Sequence, residues 1–80
     1  MTKEQAIKGA QTEAQKYGGG VQIAVVHDPI ANAEDESGPW GYCPVEAVAI
    51  LFPYGTAYGE AICNGEYNEY PTPTPPARSL

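Results

Sequence analysis

Nine glycines and eight prolines punctuate these 80 residues, and every one except Gly9 lies at or beyond residue 18. Only the first seventeen positions are free enough of breakers to hold a helix of several turns. Within them, Ala6, Ile7, Ala10, Ala14 and Tyr17 recur at intervals of three and four, gathering on one stripe. Thr2 and Gln5 stand at capping-box spacing, Glu4 and Lys8 form a favourable i,i+4 pair, and Lys16 sits in the last turn. Gly18-Gly19-Gly20 supplies the left-handed stop. Gly9 falls on the solvent side of this wheel, where it costs about 1 kcal/mol against Ala. The stripe is mostly alanine, so the helix approaches its partner surface closely and covers little of it.

Beyond residue 18 the chain is cut into short pieces. Val21 to His27 reads as a strand by its β-branched content and ends at Asp28-Pro29. Residues 28–44 have no clear periodicity and read as a long connection, of the kind that is usually functional or mobile. Val45 to Phe52 is the most apolar stretch and reads as a second strand closed by a Pro53-Tyr54-Gly55 turn. A short helix starting at Pro44 is the alternative, favoured by Ala47 and Ala49. Thr56 to Cys63 returns antiparallel, and Asn64-Gly65 predicts a type I′ hairpin into a brief last strand, Glu66 to Tyr70. Residues 71–80, opening with Pro71-Thr-Pro-Thr-Pro-Pro76, are expected to stay outside the sheet as a flexible tail. The fold class predicted is α+β, one N-terminal helix packed on a three- to four-stranded, mainly antiparallel sheet over residues 1–70.

Alternation along these strands predicts a bulky face and a small one, neither of them polar. One helix covers one face. The small face suits the Ala6/Ala10/Ala14 stripe, which leaves the bulky face for Ile30 and Trp40, a second copy or a foreign partner. A one-residue slip in any strand reverses that assignment.

Charge narrows the partner. Between Tyr17 and Ala77 there are eight carboxylates and no Lys or Arg, and the whole chain carries −6. Such a surface repels nucleic acid and anionic membrane and selects basic partners. The longest apolar run, Ala47 to Phe52, is far short of the roughly 20 residues that span a bilayer. The polar start, without the apolar stretch of a signal peptide, and only two cysteines point to the cytoplasm.

Little in the chain reads as reaction chemistry. His27 is the sole imidazole, and Cys–His catalysis would need it beside Cys43 or Cys63 with Asp28 as orienter. A zinc site from His27, Cys43, Cys63 and a carboxylate lacks any close cysteine pair, and Glu34-Asp35-Glu36 lacks the spacing of a calcium loop. No enzyme activity and no cofactor or metal are therefore expected. Binding has more behind it. Trp40 and Tyr42 stand in a Gly/Pro-rich stretch near three consecutive acids, and aromatic side chains make good anchors because they offer large area with few rotatable bonds. The candidate binding residues are Glu34, Asp35, Glu36, Trp40 and Tyr42.

The function expected is a small acidic protein-binding module, a regulator or inhibitor that docks on a basic, nucleic-acid-handling protein. Tiny acidic phage and mobile-element proteins, anti-CRISPR inhibitors included, fit that description in size and charge, an analogy of composition alone. The alternative is a self-associating assembly subunit that uses the spare sheet face. No motif here is specific to one family.

Overall fold

The computed structural model describes residues 1–18, 20–30 and 38–76. One long helix, α1 (Lys3–Lys16), is followed by β1 (Ile23–His27), β2 (Trp40–Pro44), a 3₁₀ turn (Val45–Ala47), a single-turn helix α2 (Val48–Leu51), β3 (Thr56–Ala61) and β4 (Tyr67–Thr74). All strand pairs are antiparallel, in the order β2-β1-β3-β4. The α+β class holds.

α1 begins and ends as its sequence dictates. The Thr2 N–H donates to Gln5 Oε1 (2.8 Å), the Gln5 N–H returns a bond to Thr2 Oγ1 (3.2 Å), and Gly18 takes φ +64° just past the Tyr17 cap. Ala6, Ala10 and Ala14 are fully buried against Ile23, Val25 and Ala61. Gly9 is not on the solvent side. It sits against the ring of Tyr42, where a methyl group would overlap Cε1 and Cζ. The glycine that looked unfavourable in the helix is what lets β2 lie beneath it.

Three local expectations are overturned. The stretch expected as a strand is helical from Val45 to Leu51, not extended. Pro44 restrains the entry and Ala47 and Ala49 favour coiling, while apolar content alone is the same for either state. The missing strand is β2, inside the stretch expected to be a loop. There Trp40, Tyr42 and Pro44 alternate with Gly41 and Cys43, and the register pairs Val25 with Tyr42 and His27 with Trp40. Finally, β4 runs on past Tyr70 through Pro71 and Pro73 and re-enters the ladder at Thr74, while residues 77–80 of the expected tail lie outside the described residues. The two prolines are tolerated because β4 is an outer strand and departs from the ladder there. Glu69 faces Gly59 and Thr74 faces Ala57, so Tyr70–Pro73 lie opposite Tyr58 alone.

The hairpin before β4 lies where Asn64-Gly65 predicts, with a different turn. Gly65 N–H donates to Ile62 O (2.9 Å) and Ile62 N–H to Glu66 O (3.0 Å), and only Gly65 has positive φ. That is a three-residue loop with glycine in the left-handed position, fixed by Asn64 Oδ1 accepting from the Glu66 N–H.

Nor does a bare apolar sheet face exist among the described residues. α1 covers the side carrying Ile23 and Val25, with Trp40, Tyr42 and Tyr67 packed around its edges. A register shift beside Val26 splits Ala57 from Gly59 and Ala61, which breaks the simple bulky/small division. The far side is lined by Ala24, Val26, Cys43 and Ala57, all buried. Phe52 folds back over it, its ring edge 3.1 Å from where a Gly41 Cβ would stand. Ile30, expected as a lid, is exposed. Bulky apolar surface is left over, but on α2.

Candidate functional site

Part of the surplus borders Pro44. Ile50 is 80% exposed and Leu51 55%, with Val45 and Tyr54 also exposed. Across from Leu51 stands Tyr17, 55% exposed at the end of α1. Between them is a cleft of about 180 Å³ lined by Glu13, Tyr17, Ile23, Tyr42, Pro44 and Leu51. A second hollow of similar volume adjoins it across Pro44 and is lined by Val21, Gln22, Val45 and Glu46. The local cause is geometric. Phe52 anchors the segment on the far face, and a single helical turn cannot point Ile50, Leu51 and Phe52 in one direction. Pairing in this way leaves two large side chains in water, an arrangement that marks interaction surfaces when it is contiguous.

The acids at the rim differ in their freedom. Glu13 is paired with Lys16 at 3.2 Å, whereas Glu46 has no ion-pair partner among the described residues. On the far face Glu60 accepts from Gln22 Nε2 (3.3 Å) and from the Tyr70 hydroxyl (3.0 Å). Burial, with Glu60 beside it, pushes the Tyr70 hydroxyl up to about 12.

The residues singled out from sequence fall in three places. Glu34, Asp35 and Glu36 lie outside the described residues. Trp40 is half-buried in a polar-aromatic cluster, 4.8 Å from the His27 ring and 5.1 Å from Tyr58, with the Lys3 ammonium 5.8 Å from its centre. Lys3 also lies 5.3 Å from the Tyr58 ring and pairs with Glu69 at 2.6 Å. Its hydrogen bond holds the Glu69 carboxyl below the usual range, while burial and then Glu69 push Tyr67 up to about 12. Trp40 thus fastens the start of α1 to the sheet. Of the two that are described, Tyr42 lines the cleft. Sequence reasoning missed Tyr17, Ile50 and Leu51, because a strand at 45–52 would have hidden the last two.

The His27 imidazole and the Cys43 thiol are not brought together. His27 pairs opposite Trp40 and Cys43 opposite Ala24, which sets imidazole and thiol on opposite faces. Cys43 is buried, which pushes its thiol up to about 11, and Cys63 is exposed in the hairpin loop. Asp28 is fully buried at the end of β1, where Oδ1 accepts from the Ile30 N–H (3.0 Å) and shapes the turn. Among the described residues no three His, Cys, Asp or Glu side chains gather as metal ligands, and no helix is long and apolar enough to cross a membrane. No family model, curated protein or solved structure matches this chain.

Proposed function

We propose that this chain is a non-enzymatic protein-binding module that docks on a basic protein through the apolar surface of α2 and the neighbouring cleft. The observation that carries the reading is the exposure of Ile50 and Leu51 on α2, at 80% and 55%, with Leu51 sharing a cleft with the exposed Tyr17. Large apolar side chains facing a concave site make anchors, since a partner side chain placed there loses water on all sides. The partner's sign follows from charge: the chain carries −6, with no Lys or Arg from residue 18 to residue 77. Opposite charge steers encounter, and like charge excludes wrong partners. A regulator or inhibitor of a nucleic-acid-handling protein is the class that fits, because such targets present basic surfaces.

Placing a photo-cross-linking residue at position 50 tests this directly. The expected adduct joins the chain to a protein with a basic surface, weakens as salt rises from 0.1 to about 1 M, as screening of charge requires, and disappears in the Leu51→Asp variant. Adducts formed only between copies of this chain would instead favour an assembly subunit. Adducts indifferent to both salt and Leu51→Asp would overturn the docking surface.

A further inference from the structure

The two outer strands of the sheet are finished differently. β4 is blunted: Pro71 and Pro73 have no N–H to offer, and residues 70–73 leave the ladder. β2 has no such protection along its middle. Its ladder to β1 is flanked by two backbone bonds, Val45 N–H to Gln22 O (2.9 Å) and Asp28 N–H to Pro39 O (2.8 Å). Hydrogen-bonded and non-bonded pairs alternate in an antiparallel ladder, so Cys43 and Gly41 also point their backbone groups at β1. Trp40 and Tyr42 therefore direct both N–H and C=O outward, and Pro44 directs its C=O outward. Among the described residues no strand pairs with that side. Tyr42 and Pro44 also line the apolar cleft, so an open edge and a side-chain pocket meet at the same two residues.

We propose that the outer edge of β2 is a strand-addition site for an extended basic segment of a partner protein, which pairs with Trp40 and Tyr42 and sets one apolar side chain into the cleft beside Leu51. Main-chain pairing of this kind supplies affinity, and alternate side chains supply specificity. This inference rests on the docking function above and names its mode. Charge decides the occupant: a second copy would set −6 against −6, whereas a segment of alternating Lys or Arg and apolar residues meets Glu46 and the acidic remainder of the chain.

The test uses the full chain and a synthetic heptapeptide alternating Lys with Val or Leu, with a Glu-for-Lys peptide as control. Joining two synthetic halves at Cys43 allows an N-methyl group on Tyr42, which removes an outward donor and leaves the β1 ladder and the side chain in place. The Lys peptide is expected to slow amide exchange at Trp40 and Tyr42 at least tenfold at saturation, and to bind the N-methyl chain at least tenfold more weakly. The Glu peptide is expected to do neither. Equal binding by the N-methyl chain, or no protection of β2 amides in the unmodified chain, overturns strand addition. Should the N-methyl chain not fold, the amide protection decides alone. If binding survives N-methylation and is lost in Leu51→Asp, the docking function stands without strand addition; if neither change matters, both fall. A peptide-free dimer that protects the same two amides assigns the edge to a second copy and overturns the proposal.

Discussion

The two helices invert the usual relation between hydropathy and burial. α1 turns three alanines inward, and all three are fully buried. α2 is made wholly of apolar residues, Val48-Ala-Ile-Leu51, and none of the four is buried. Position decides the difference. α1 crosses the sheet with its small stripe flat on Ile23 and Val25, and Gly9 over Tyr42 lets the approach be close. α2 lies between Pro44 and Phe52, and Phe52 reaches under the far face. A single-turn apolar helix with no fully buried side chain is poor core and good contact surface.

Substitutions separate the two roles. The largest effect is expected from Ala10→Asp, which forces a carboxylate into the fully buried stripe with no cation to meet it. Loss of at least ~3 kcal/mol in urea denaturation follows from the cost of an uncompensated buried charge. Phe52→Ala uncovers Gly41 and Val26. About 2 kcal/mol is expected, less than the 3–5 kcal/mol of a fully enclosed Phe, because Phe52 is half-buried. Gly9→Ala pits about 1 kcal/mol of helix propensity against overlap with the Tyr42 ring. A net loss of about 1 kcal/mol is expected, and in a Tyr42→Leu background the same change should become stabilising. That reversal in a double-mutant cycle would isolate the contact.

A smaller effect belongs to the clamp at the start of α1. Glu69 is held below its ordinary value by Lys3, so its contribution is present above that value and fades as pH falls through the lowered one. Glu69→Gln should therefore lower the melting temperature at pH 7 by an amount that shrinks as the solution is made more acidic. A difference that stays constant as pH falls would assign the effect to packing.

Much of the fold was legible because local chemistry and tertiary position agree. The Thr2/Gln5 box, the Gly18 stop, the β-branched run after Gln22 and the Asn64-Gly65 turn each act within a few residues. The errors arose where a local rule met a tertiary exception. β2 hides in a Gly/Pro-rich stretch because its glycine, Gly41, is the space that Phe52 fills. Pro71 and Pro73 read as a tail because the outer position that tolerates them is invisible before the strand order is known. The proposed site was partly legible for the same reason. Tyr42 was named for its chemistry and lines the cleft, whereas Ile50 and Leu51 look like core until the chain coils at Val45–Leu51.

The most direct measurement places on α2 the same charge as on α1. Leu51→Asp, read by urea denaturation, should shift stability by no more than about 0.5 kcal/mol, as at any exposed position without a special role in the fold. A loss of 2 kcal/mol or more would mean that Leu51 is core, and the apolar surface offered to a partner would not exist.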